Sequence, residues 1–135
     1  MGELIDGGYL LDTHVLLWLL TDRVRLSDQA GQLLGDSSNR LYVSAASAWE
    51  IATNARLGKL PLAESITMGF AQHLRRAAVE TIDVSTDHAI LGGAMSWDHR
   101  DPFDRVIAAT AMVEGIALVS SDAVFSGVNG LRVIW

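Results

Sequence analysis

Short apolar runs alternate along this chain with stretches that carry helix start and stop signals, and that alternation is the tightest constraint on its fold. Tyr9-Leu10-Leu11 lies between Gly7-Gly8 and Asp12. Leu41-Tyr42-Val43 follows the turn cluster Gly35–Asn39, and Thr81–Val84 precedes Ser85. Ile116–Val119 follows Gly115, and Leu131–Trp135 is a last strand, placed at a sheet edge by Arg132. Runs so short and apolar read as strands buried on both faces.

Helices are expected between them. Thr13–Leu20 follows Asp12, Ser27 caps Asp28–Leu34, and Ser44 opens a helix through Leu57 that Gly58 closes. Pro61 breaks the chain. Ala63–Val79 then reads as one long helix, with Ile66, Phe70, Leu74 and Ala77 at helical spacing. Ser85 caps Thr86–Met95, and Gly127–Gly130 reads as a loop. Strands and helices in this order favour a mainly parallel sheet with helices on both faces.

Composition narrows the function. The chain has 135 residues, enough for one domain with a sizeable core. With no cysteine there is neither a disulfide framework nor a thiolate metal site, which fits a reducing compartment. The longest apolar run, Val15–Leu20, is too short to span a membrane, and the acidic start is unlike a signal peptide. The cytoplasm is the expected location. A formal charge of −6 argues against a protein that holds nucleic acid by phosphate neutralisation alone. Action on nucleic acid would need a local site, bridging cations or a second subunit.

The chemistry concentrates in His99-Arg100-Asp101-Pro102-Phe103-Asp104-Arg105. Asp101 is placed to cap a helix, with Pro102 at the first helical position, where its missing N–H costs nothing. Asp104 falls in the first turn, where a carboxylate gains from the positive helix end. Val106–Val113 continue the helix and Gly115 stops it. Capping alone accounts for two acids here, but further acids stand where an α/β fold puts its ligands. Asp12 ends the first strand, and Asp122 follows the fourth after Ser120-Ser121. Glu50 lies inside the helix after the second strand, and position alone reads it as part of a solvated face.

If the first and fourth strands are neighbours, Asp12, Asp104 and Asp122 converge on one crevice. Carboxylates gathered there need divalent cations or raised pKa values. Hard oxygen donors without cysteine point to Mg²⁺ or Mn²⁺. Such a cation suits phosphodiester hydrolysis, because it makes water a better nucleophile and stabilises charge on the phosphate oxygens. Thr13, Ser120 and Ser121 are placed to orient ligands or water. Arg100 and Arg105 either hold a phosphate or pair with Asp98 and Asp101. His14 reads as a packed or solvated histidine, and His99 as a loop residue within possible reach of substrate.

Five segments together resemble the PIN-domain ribonuclease toxins of the VapC type, from bacterial toxin–antitoxin pairs. They are Leu10–Trp18, Val43–Ile51, Leu57–Leu60, His99–Arg105 and Leu118–Asp122. The resemblance implies a three-layer α/β/α sandwich around a mainly parallel sheet of about five strands. It covers 9–135 as a single domain and leaves 1–8 as an extension or an expression-derived segment. It implies a metal-dependent endoribonuclease, often a homodimer, inhibited by a cognate VapB-like antitoxin. The family's acidic quartet falls on Asp12, Glu50, Asp104 and Asp122, which moves Glu50 from the surface to the site. Arg100, Arg105, Thr13 and Ser120 become candidate substrate contacts. Two departures stand out. Ser120 replaces the family's usual Thr. Met95-Ser96 and Asp98-His99 stand where the family often has Leu-Pro and two His, so substrate contacts near Asp98 differ.

Other classes fit less well. A phosphorelay receiver domain needs a lysine near its last strand, and the only lysine is Lys59. A haloacid-dehalogenase-like phosphatase wants an Asp two residues after the first, where His14 stands. A non-catalytic acidic module that pairs with a basic partner peptide is the remaining alternative.

Overall fold

The computed structural model describes residues 7–60 and 62–135. Most of the segment expected as an extension, and the break expected at Pro61, lie outside the described residues. The elements run β1 (Gly8–Leu11), α1 (Thr13–Thr21), a 3₁₀ turn (Arg23–Arg25), α2 (Asp28–Gly35), β2 (Arg40–Ser44) and α3 (Ala45–Arg56). They continue with α4 (Ala63–Thr67), α5 (Phe70–Ala77), β3 (Val79–Ile82), α6 (Thr86–Ala94) and α7 (Pro102–Glu114). β4 (Ala117–Val119), a second 3₁₀ turn (Ala123–Gly127) and β5 (Val133–Ile134) complete the order.

Among the described residues all four strand pairings are parallel, in the spatial order β3-β2-β1-β4-β5. The chain winds outward from β1 to β2 and β3, then returns to lay β4 on the other side of β1. The crevice beyond the carboxyl ends of β1 and β4 is therefore the switch point of the sheet, where such folds bind ligands. Leu11 pairs with Val43 on one side and Val119 on the other, which sets Asp12 between the ends of its neighbours.

Successive strand residues point to opposite faces, and each face has its own core. Leu11, Leu41, Val43, Val79 and Val119 join Val15, Leu16, Ala30, Ile51, Ile66 and Leu74 under α1 to α5. Leu10, Tyr42, Ile82 and Leu118 meet Ile107, Ala108, Ala111 and Phe125 under α7 and the second 3₁₀ turn. The result is the expected three-layer α/β/α sandwich. Among the described residues, no helix is long and apolar enough to cross a membrane.

The expected helix over Ala63–Val79 is two helices. Gly69 takes φ +70 between α4 and α5, a conformation that ends a right-handed helix and that glycine adopts without strain. Val79 then belongs to β3, paired with Leu41, so the third strand begins two residues before the expected Thr81 and ends at Ile82. Arg75 and Arg76 lie in the last turn of α5, where cations are favoured by the negative helix end.

Candidate active site

Asp12 caps α1 at the end of the central strand. Its Oδ1 accepts from the Thr13 N–H at 2.8 Å, and its Oδ2 accepts from the Ser120 hydroxyl at 2.8 Å. The side chain is buried, at 7% exposure. Burial raises its pKa above the ordinary carboxylate value; the Ser120 and Thr13 bonds oppose this rise, and the charge of Asp122 adds to it.

Glu50 enters from α3. Its Oε1 accepts from the Thr13 hydroxyl at 2.6 Å, and the same hydroxyl lies 2.8 Å from Ser47 Oγ. Reading Glu50 from position alone as a solvated residue is therefore corrected: the α3 turn that buries Ser47 and Ile51 carries Glu50, half-buried, to the end of α1. Burial raises its pKa first, and repulsion from Asp104, Asp101 and Asp12 raises it further against the Thr13 bond.

Asp104 sits in the first turn of α7. Asp101 caps that helix as expected, its Oδ1 accepting from Phe103 N at 2.8 Å and Asp104 N at 3.4 Å. Asp104 Oδ2 lies 2.6 Å from His99 Nε2. Its pKa is also raised, by burial first and then by Asp101 and Asp12, against the bond to His99. Ligand atoms of His99, Asp101 and Asp104 lie within 4.8 Å of one another.

Asp122 occupies the rim. Its Oδ1 accepts from Val124 N at 3.0 Å, capping the second 3₁₀ turn, and its own N–H donates to Ser120 Oγ at 3.1 Å. Ser120 thus links Asp12 to the segment that carries Asp122. Asp12, Glu50 and Asp104 are near enough for their charges to interact, and Asp122 acts on Asp12.

The two arginines differ. Arg100 is exposed and lines an apolar groove of about 620 Å³ beside Trp49, Phe103 and Gly93. Trp49 and Phe103, the neighbours of Glu50 and Asp104, meet edge to face at 5.5 Å. Arg105 turns inward. It donates to the carbonyls of Gly92, Trp97, His99 and Met95 at 2.6–2.8 Å, binding the loop before α7 to α6. That occupies the guanidinium expected to hold a phosphate. Among the described residues, neither arginine pairs with Asp98 or Asp101. His14 is exposed beside Trp18, at 6.1 Å between ring centroids.

Sequence reasoning missed Ser47, and it named His99 without its contact to Asp104. Ser47 stands three residues before Glu50, a spacing that places both on one helix face and was available as a signal. The contact of His99 with Asp104 depends on the loop fold that Arg105 secures, which no spacing rule encodes.

The donor types suit a hard divalent cation. Among the described residues, the group whose ligand atoms come within 4.8 Å of one another is His99, Asp101 and Asp104, with Asp12, Glu50 and Asp122 outside it. The gathered side chains offer mainly carboxylate oxygens, and among the described residues no Lys or Arg pairs with Asp12, Glu50, Asp104 or Asp122. Carboxylates that push one another's pKa upward are stabilised as a group by a cation between them.

Known proteins resemble this chain in sequence and in fold. The family model of the PIN domain matches residues 9–131. Ribonuclease VapC22 of Mycobacterium tuberculosis is 32% identical over 116 residues, 84% of this chain and 85% of that protein. Ribonuclease VapC16 of the same organism is 46% identical over 57 residues, 42% of this chain and 39% of the relative. Among solved structures, VapBC2 from Rickettsia felis, bound to a DNA fragment from the promoter, aligns over 93% of this chain and 96% of its own. Its TM-score is 0.62 at 18% identity. A toxin–antitoxin complex from Klebsiella pneumoniae aligns over 95% and 97%, with a TM-score of 0.64 at 20% identity. A central acid at the sheet's switch point, a helix-capping acidic motif and a match across nearly the whole chain lead to one assignment: this chain belongs to the PIN-domain family, as a member of its VapC type.

Proposed function

We propose that this protein is a metal-dependent endoribonuclease toxin of a toxin–antitoxin pair. The observation that carries the reading is the proximity of Asp12 at the end of β1, Glu50 on α3 and Asp104 on α7, each with a raised pKa and, among the described residues, none paired with Lys or Arg. The names of the curated relatives support ribonuclease activity, and toxin–antitoxin complexes among the structural neighbours support an antitoxin partner.

Asp12, Asp104 and Asp122 would hold Mg²⁺ or Mn²⁺, with Glu50 as a further ligand or water-positioning group. The cation would supply Lewis-acid activation of water and charge stabilisation at the phosphate. The protein's own residues do the rest. Ser120 orients Asp12 by a direct hydrogen bond. His99 orients Asp104. Arg100, exposed in the apolar groove beside Trp49 and Phe103, guides the RNA backbone, while Arg105 holds the loop in place rather than contacting substrate. A VapB-like antitoxin covers the crevice, and two copies associate as a homodimer in the cytoplasm.

Cleavage of total cellular RNA by antitoxin-free protein tests the reading, with Mg²⁺, Mn²⁺ or EDTA and beside Asp104→Asn. Cleavage that requires metal and disappears in the variant is expected. Folded, metal-loaded protein that cuts no RNA from its native host would favour the non-catalytic acidic module.

A further inference from the structure

Thr13 touches two of the site's carboxylates at once. Its backbone N–H donates to Asp12 Oδ1 at 2.8 Å, and its hydroxyl donates to Glu50 Oε1 at 2.6 Å. A threonine hydroxyl has one proton. With Glu50 ionised, that proton lies on the Glu50 bond, so the 2.8 Å contact with Ser47 Oγ must run the other way, from Ser47 to Thr13. Ser47 is fully buried and Thr13 is 2% exposed, so water does not compete for either hydroxyl. The chain of hydroxyls has one direction: Ser47 to Thr13 to Glu50.

We infer that Thr13 and Ser47 are positioning residues for Glu50, a relay of hydroxyls that fixes one carboxylate oxygen and leaves the other for the metal centre. The inference deepens the proposed nuclease and rests on its metal site. Oε1 is committed to Thr13, and Oε2 has no hydrogen-bond partner among the described residues. Glu50 is held to α1, next to Asp12, instead of rotating toward solvent along the exposed side of α3 that bears Trp49. Ser47 lies one turn before Glu50, so the helix itself sets the spacing of the relay. Thr13 is thereby a ligand-orienting group and not a substrate contact. Cooperative polarisation strengthens such a chain, because each donated bond makes the next hydroxyl a better donor.

Mn²⁺ binding by calorimetry, at fixed pH and without RNA, tests this. Thr13→Val keeps the shape and removes the hydroxyl; Thr13→Ser restores it; Ser47→Ala removes only the distal donor. Thr13→Val is expected to weaken Mn²⁺ binding about tenfold, in line with loss of a hydrogen bond to a charged group. Thr13→Ser is expected to stay within about threefold of wild type, and Ser47→Ala to fall between. In a Glu50→Gln background, Thr13→Val and Ser47→Ala should cause no further loss. Equal Mn²⁺ affinity in wild type and Thr13→Val overturns the inference while leaving the metal centre standing. So does an equal loss with and without Glu50. Should Thr13→Val fail to fold by circular dichroism, Ser47→Ala compared with Ser47→Ala/Glu50→Gln decides in its place. Wild-type protein that binds no Mn²⁺ removes the metal centre and this relay with it.

Discussion

Ser120 Oγ donates to Asp12 Oδ2 at 2.8 Å across 108 residues of sequence, joining the ends of β4 and β1. The same oxygen accepts from Asp122 N at 3.1 Å. Ser120→Ala removes both bonds at a site only 2% exposed. A loss of about 1–3 kcal/mol is expected, because a buried carboxylate oxygen and a backbone donor lose their partners together. Urea denaturation of the variant beside Ser120→Thr, which keeps the hydroxyl, measures it.

The raised carboxylate pKa values fix the sign of a pH effect. Asp12, Glu50 and Asp104 hold their protons more tightly folded than unfolded. From the ordinary carboxylate value up to the folded values, the native state carries more protons, so their contribution to stability falls as pH rises through that window. Metal-free Asp104→Asn should therefore be more stable than wild type at pH 7, with a shallower pH dependence. The amide oxygen of that variant would still accept from His99, so the geometry is kept. Adding Mn²⁺ should raise the melting temperature of wild type at pH 7 and leave the variant nearly unmoved. Thermal melts with and without metal at pH 4.5 and 7 check both statements.

Arg105→Lys should destabilise the protein by roughly 2–4 kcal/mol, although the charge is kept. One ammonium cannot reproduce the planar fork that reaches four carbonyls. Hydrogen exchange should quicken first over residues 95–99, the loop it ties down. Unchanged exchange there would show that the fork is dispensable.

Two adjacent glycines of α6 should respond with opposite signs. A Cβ on Gly92 would lie 3.3 Å from Arg105 O and from Val106 Cα, backbone atoms that cannot swing away. Gly92→Ala should cost about 1–3 kcal/mol by forcing α6 off α7. A Cβ on Gly93 meets nothing within 4 Å. Gly93→Ala should add about 0.5–1 kcal/mol through helix propensity. Paired denaturation curves decide.

What was legible in the sequence follows from what is local. Ser27, Ser44, Ser85 and Asp101 cap helices because a short polar side chain before an apolar stretch satisfies free N–H groups in any context. The acids after β1 and β4 are readable for the same reason. Gly69 is a visible warning inside a helical pattern, but periodicity outweighs it on paper; φ +70 gives glycine the deciding role. The start of β3 is illegible because Val79 becomes a strand residue only by pairing with Leu41. Glu50 needs Thr13, and Thr13 comes from another helix. Arg105 is easily misread because its acceptors are backbone carbonyls, which every residue offers and no sequence marks.

The return of the chain to place β4 beside β1 has a kinetic consequence. Asp12 belongs to the first strand, yet the hydroxyl that orients it and the acid on its rim arrive with the fourth. Until that pairing forms, the central strand has an open edge and Asp12 has no Ser120. Metal affinity should therefore appear in refolding only with the final, longest-range contact, as a late phase separate from early helix formation. Stopped-flow refolding in Mn²⁺ would then time the closing of the sheet.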